Sequence, residues 1–157
     1  MSDKGSIIFG GRYELKKRIA RGGMAEVFLG EDQLLGRPVA VKVLFPEFAS
    51  DPNFVERFRR EAQAAANLSH PNIVGVFDWG KERNTYYIVM EFVEGRTLSQ
   101  IIRKEGPLPT ARVAEIADAI ASAVGFAHKG NVVHRDMKPG NVIISDSGQI
   151  KVADFGI

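Results

Sequence analysis

Cysteine is absent from the 157 residues, which excludes disulfides and thiolate metal sites and agrees with a reducing compartment. Long apolar runs are missing too. No stretch approaches the roughly 20 residues a membrane span needs, and the polar N-terminus lacks a signal-peptide core. Nor is one sign of charge in excess: 21 Lys and Arg against 19 Asp and Glu leave +2, with the basic residues scattered, so nothing asks for nucleic acid as a partner. Repeats and low-complexity linkers do not occur. These absences read as a cytoplasmic chain without a membrane segment. What is present is an ordinary globular composition, 45% apolar, long enough to bury a core as one domain or two small lobes.

The densest set of ionisable and amide side chains is His134-Arg135-Asp136-Met137-Lys138-Pro139-Gly140-Asn141, bracketed by Val132-Val133 and Val142-Ile143-Ile144. Pro139 and Gly140 forbid a regular helix or strand there, so the run reads as a loop between two short buried strands. Asp136 could take a proton from a hydroxyl, Lys138 could neutralise a developing phosphoryl charge, and Asn141 could offer an oxygen to a hard cation. Alone, the same composition equally describes a polar turn with a structural histidine, and the rest of the chain has to decide.

Residues 1–11, with Gly5, Gly10 and Gly11, read as a frayed tail, and ordered structure is expected from near Tyr13. Tyr13 to Ile19 and Glu26 to Glu31 read as strands joined by the glycine-bearing turn Ala20 to Ala25. Its paired glycines, Gly22 and Gly23, would let backbone amides approach an anion, or simply make a β-turn. In the strand Val39 to Leu44, Lys42 shares the face of Ala40 and Leu44, where an unpaired ammonium is costly. Asp51-Pro52 starts a helix whose stripe of Phe54, Phe58, Ala62 and Ala65 also contains Glu61. Two opposite charges on apolar faces suggest a Lys42–Glu61 ion pair, unless both snorkel to water. Ile73 to Trp79 and Thr85 to Phe92 complete an expected five-stranded antiparallel sheet with one helix. From there the character turns helical, with Thr97 to Lys104 and then Thr110 to His128, whose Val113, Ile116, Ala117, Ile120, Val124 and Ala127 keep helical spacing. After the polar loop, Val142 to Ile144 and Ile150 to Ala153 form a hairpin around Asp146-Ser147-Gly148, followed by Asp154-Phe155-Gly156 and Ile157.

Taken together, Val39-Ala40-Val41-Lys42, the helix with Glu61, His134-Arg135-Asp136 to Asn141, and Asp154-Phe155-Gly156 occur in the order found in eukaryotic-like serine/threonine protein kinases, and the chain most resembles their bacterial branch. Asp154 lies 18 positions after Asp136, which suits the hairpin that family places there. The resemblance implies an α+β, protein-kinase-like fold: a five-stranded antiparallel N-lobe with one helix at 12–90, a hinge at 91–95, and at 96–157 the first part of a mainly helical C-lobe. It implies ATP and Mg²⁺ as cofactors and Ser/Thr-bearing proteins as substrates. Asp136 would be the catalytic base, and Lys138 would contact the transferred phosphate. Asn141 and Asp154 would hold magnesium. Lys42 would bind the α- and β-phosphates while pairing with Glu61, under a cover formed by Ala20, Gly22 and Gly23. Val27, Ala40 and Ile143 would sandwich adenine, Met90 would be the gatekeeper, and Glu91 and Val93 would offer hinge backbone groups. His134 and Phe155 would be structural.

Two departures stand out. The phosphate turn reads Ala20-Arg21-Gly22-Gly23-Met24-Ala25-Glu26-Val27, keeping the central glycine of the family pattern and replacing the outer two by alanine. If either position needs positive φ, alanine is disfavoured there by roughly 1 kcal/mol. The second departure is length: the sequence matches only the first part of the family's domain and lacks the activation segment. The alternative expectation is therefore a catalytically incompetent nucleotide-binding or protein-interaction module, with apolar surface left open and a tendency to self-associate.

Overall fold

The computed structural model describes residues 5–154. The chain divides into two compact units, Met1–Arg59 with Val76–Phe92 and Arg60–Gly75 with Val93–Ile157.

In the first unit, β1 (Ile7–Phe9), β2 (Tyr13–Arg21), β3 (Ala25–Asp32), β4 (Arg37–Leu44), β5 (Val76–Glu82) and β6 (Thr85–Glu91) make one sheet in the order β1-β2-β3-β4-β6-β5. Every pairing is antiparallel. Alternation in β4 decides its two faces: Val39, Val41 and Val43 enter a core with Phe9, Tyr13, Tyr87 and Val89, while Ala40, Lys42 and Leu44 face the other way. The sheet curls round that core until distant strands meet. Tyr13 Oη donates to Asp78 Oδ2 at 2.6 Å, and the Gly10 amide donates to Glu82 Oε2 at 3.1 Å. Glycine is needed where β5 closes on Tyr87, since a Cβ at Gly80 would lie 2.5 Å from the Tyr87 hydroxyl. Buried Asp32 shapes the β3–β4 turn by accepting from the Leu34 and Leu35 amides at 3.0 and 3.2 Å. Its carboxylate also takes two bonds of 2.8 Å from the Arg12 guanidinium, which with those amides holds its pKa down at about 2.

Two helices follow β4. The short α1 (Pro46–Ala49) precedes α2 (Pro52–Ala66), where Asp51 Oδ1 accepts from the Asn53 amide at 2.9 Å and Pro52 occupies the first turn. The predicted stripe on α2 is realised, with Phe58, Ala62 and Ala65 buried.

In the second unit, β7 (Gly95–Thr97), β8 (Val142–Ser145) and β9 (Ile150–Val152) form a three-stranded sheet, and α3 (Leu98–Glu105) and α4 (Thr110–Lys129) are its helices. Thr97 and Gln100 start α3 with a capping box. Gly95 permits the β7–β8 approach, because a Cβ there would run into the Ile144 carbonyl and sit 2.6 Å from Ser145 Cα. One core joins Leu68, Ile73, Ala123, Ala127 and Val152; a second joins Ile101, Ile116, Ala119, Val142, Ile144 and Ile150.

The sheet has six strands where five were expected. The extra one is Ile7–Phe9, within the expected tail, which pairs with Tyr13–Leu15 and is fixed by Phe9 stacking on Tyr87 at 5.2 Å. The strand expected from Ile73 begins at Val76, and Ile73 instead makes an isolated parallel bridge to Val152. Val132-Val133 is not a strand. Val132 packs on the Leu68–Ala127 cluster, and Val133 is 53% exposed. Phe155, Gly156 and Ile157 lie outside the described residues.

Candidate functional site

Eight of the sequence-predicted residues lie in the first unit: Ala20, Gly22, Gly23, Val27, Ala40, Lys42, Met90 and Glu91. Register arranges several of them. Ala20 stands opposite Val27, Val27 opposite Lys42 and Ala40 opposite Met90, so these residues share the sheet face turned away from the valine core. Glu91 pairs with Val39, on the core side. The glycine turn is tighter than expected, because Ala20 and Arg21 still belong to β2 and only residues 22–24 connect the strands. Neither Ala20 nor Ala25 has positive φ, so the alanines that replace the family's outer glycines carry no backbone strain. Gly22 and Gly23 are not held at positive φ either. A Cβ at Gly23 would meet nothing within 4 Å, and one at Gly22 only the Ala25 carbonyl at 3.5 Å.

The second unit carries Glu61, Val93, Asp136, Lys138, Asn141, Ile143 and Asp154. Lys42 and Glu61 thus belong to different units, and their pairing remains a proposal. Within the second unit the polar loop is tied together by short bonds. Asn141 is 7% exposed, and its Nδ2 donates to the Asp136 carbonyl at 2.9 Å, which leaves Oδ1 as the side-chain atom directed elsewhere. The Asn141 backbone accepts from the Ala153 amide at 2.9 Å and donates to the Lys138 carbonyl at 2.9 Å. Pairing of Val142 with Val152 produces this proximity, because it places Asn141 just before β8 beside the residues just after β9. Asp154 follows at φ 62, and Arg135 at φ 73 turns the chain between His134 and Asp136. Two non-glycine residues in the left-handed region cost roughly 1–2 kcal/mol each, strain that the surrounding bonds must offset.

His134 is the buried hub, 2% exposed. Its Nδ1 accepts from the Asp136 amide at 3.1 Å, so Nε2 carries the proton and donates to the Ala153 carbonyl at 2.6 Å. One imidazole therefore links the backbone of Asp136 to the residue preceding Asp154. The Asp136 carboxylate is half exposed, and its Oδ2 lies 3.1 Å from Lys138 Nζ. Ile143 stands opposite Lys151 in the β8–β9 ladder.

Sequence reasoning missed Asn72, which stands just before the strand expected from Ile73. Its Nδ2 donates to the Ile150 carbonyl at 2.8 Å, its carbonyl accepts from Val152 at 2.8 Å, and its amide donates to His70 Nδ1 at 3.0 Å. It buttresses the strand that leads to Asp154. A polar residue beside Pro71 was the available signal, but its partner lies 78 positions away.

A hard divalent cation seeks oxygen ligands. An amide whose nitrogen is already committed, standing beside the strand end that carries a carboxylate, fits such an ion. Asn141 and Asp154 are the residues that would hold it.

A sheet of this topology followed by a polar loop and a hairpin ending in an aspartate defines a protein kinase fold, and the protein kinase domain family matches residues 13–157. The chain belongs to that family, whose members use ATP, typically with a divalent metal. It is 51% identical over 147 residues to the serine/threonine-protein kinase PrkC of Bacillus subtilis, covering 94% of this chain and 23% of that protein. It is 44% identical over 162 residues to the serine/threonine-protein kinase PknA of Mycobacterium tuberculosis, covering 100% of this chain and 38% of that protein. The crystal structure of the Mycobacterium tuberculosis PknI kinase domain matches with a TM-score of 0.84 at 35% identity, over 97% of this chain and 62% of the other. The chain thus spans well under half of the curated relatives' length. No helix among the described residues is long and apolar enough to cross a membrane.

Proposed function

We propose that this chain is the ATP-binding and catalytic-loop portion of a serine/threonine protein kinase. Magnesium-bound ATP would supply the transferable γ-phosphoryl group and part of its charge neutralisation. The substrate hydroxyl oxygen bonds to the γ-phosphorus as the bond to the β,γ-bridging oxygen breaks, releasing ADP, and Asp136 accepts the hydroxyl proton. Lys138 neutralises charge on the transferred phosphoryl group. Asn141 and Asp154 would hold magnesium, Lys42 would meet the α- and β-phosphates while pairing with Glu61, and Gly22 and Gly23 would cover them. Val27, Ala40 and Ile143 would enclose adenine beside Met90, with Glu91 and Val93 at its edge.

The observation that supports this reading is the His134–Asp136–Asn141–Ala153 network, which bonds the residue assigned as base to Asn141 and, through His134, to Ala153, the residue before Asp154. Pre-organisation of this kind is what phosphoryl transfer requires of a protein. The test is nucleotide binding. ATP with Mg²⁺ should raise the melting temperature, and Lys42→Met should abolish most of the rise; equal shifts in both proteins would remove the phosphate role from Lys42.

A second reading, self-association, is favoured by exposed apolar side chains in the second unit, where Val113 is 50%, Val133 53% and Phe126 38% exposed.

A further inference from the structure

The glycine turn hangs from a loosely held strand. Among the described residues, β2 beyond Leu15 has a neighbour on one side only, since β1 pairs with Tyr13–Leu15 and the rest of β2 pairs with β3. That ladder is itself broken twice, between Leu15 and Lys17 and between Arg18 and Ala20. The turn closes on itself through the Gly22 amide, which donates to the Ala25 carbonyl at 2.8 Å, and it reaches the segment after β4 through the Phe45 amide, which donates to Met24 at 2.8 Å.

One side chain adds a second tether. The guanidinium of Arg21, the last residue of β2, lies 5.1 Å from the centre of the Phe45 ring. Because Arg21 stands opposite Glu26 and Ala25 opposite Leu44, β3 runs between them, and the contact crosses it to join the outer strand to the segment after β4. Glu26, the nearest carboxylate by register, is engaged by Arg18 at 3.5 Å. The turn's own geometry does not require glycine at 22 or 23, so the freedom of two residues without Cβ is available for motion.

We propose that the Arg21–Phe45 stack is a strap that holds the glycine turn down and sets how fast nucleotide passes beneath it. This rests on the reading of the turn as phosphate cover. A contact made in the closed turn whether empty or occupied cancels from the affinity. It appears in both rates, since the turn must lift for nucleotide to arrive and to leave. An exposed cation–π contact of about 0.5–1 kcal/mol corresponds to about two- to five-fold.

The test compares the wild-type chain with Arg21→Ala, Phe45→Leu, their double mutant and Arg21→Lys. Amide hydrogen exchange at Gly22 and Phe45 is read in the empty chain, and stopped-flow fluorescence follows N-methylanthraniloyl-ATP with Mg²⁺. Each truncation should speed exchange and raise the association and dissociation rates together by about two- to five-fold with Kd unchanged. The double mutant should do no more than either single, and Arg21→Lys should recover much of the effect. Unchanged amide exchange, additive single effects, or a weaker Kd without faster association would overturn the strap; the last would make Arg21 a phosphate ligand instead. If the wild-type chain bound no nucleotide, the functional reading would fail, and the amide exchange would still decide for or against the strap.

Discussion

Replacing Asn141 by aspartate separates the two jobs its side chain is assigned. The change keeps the size and one oxygen for a cation, but it exchanges the Nδ2 group that donates to the Asp136 carbonyl at 2.9 Å for a second acceptor. At 7% exposure, water cannot readily replace the lost donor. Leaving this part-buried carbonyl without its donor costs at most about 1–3 kcal/mol. For a chain of this size each kcal/mol moves Tm by about 2–4 °C, so a fall of up to about 12 °C is expected. Thermal unfolding in chelator should find Asn141→Asp and Asn141→Ala both destabilised, since both lose the donor. Added Mg²⁺ should then restore part of the loss in the aspartate variant and little in the alanine variant, which has no oxygen to offer. An aspartate variant as stable as wild type in chelator would refute the positioning role of the hydrogen bond. Equal recovery of both variants would refute the metal role.

In a completed catalytic domain, Asp136→Asn should lower turnover by orders of magnitude while changing ATP affinity little, because a base acts in the transition state; parallel losses in kcat and affinity would make Asp136 a nucleotide ligand. Asp32, held at a pKa of about 2 chiefly by Arg12, is depressed relative to its unfolded value. Its contribution to stability should therefore be complete above about pH 4 and be lost as the pH falls toward 2, and Asp32→Asn should flatten that part of the urea-midpoint profile. An identical acid limb in the variant would assign the pH dependence elsewhere. Purified alone, the chain should self-associate in size-exclusion chromatography and transfer little phosphate from radiolabelled ATP to protein; a monomer working at ordinary kinase rates would sink that expectation.

The candidate site was proposed from residue order because its signals are local. Lys42 in a β-branched run, the Asp136–Lys138–Asn141 loop and Asp154 behind a hairpin each announce themselves within a few positions. Features that depend on distant partners could not be read this way. Ile7–Phe9 is a three-residue strand between glycines, and what orders it is Tyr13–Leu15 beside it and Tyr87 beneath Phe9. Val132-Val133 has the composition of a strand but pairs with no strand among the described residues; one valine packs inward and the other is exposed. Asn72 and the His134 relay are hydrogen-bonding choices that no spacing rule encodes. The alanines at 20 and 25 raised a strain question that only backbone angles could answer.

The curled sheet also sets a timetable for synthesis. Its closing bonds, Gly10 to Glu82 and Tyr13 to Asp78, span 72 and 65 positions, and β6 is the strand that pairs directly with β4. A ribosome releasing the chain N-terminus first delivers β1 to β4 long before Tyr87 and Val89 can cover Val39, Val41 and Val43. At about 5–20 residues per second, the stretch from Leu44 to Glu91 takes about 2–9 s to make. Throughout that interval the outer edge of β4 and its valine face stay open to other nascent chains. The β5–β6 hairpin ends this exposure when it emerges, so a pause in translation before residue 91 would lengthen the period in which the N-terminal strands can aggregate.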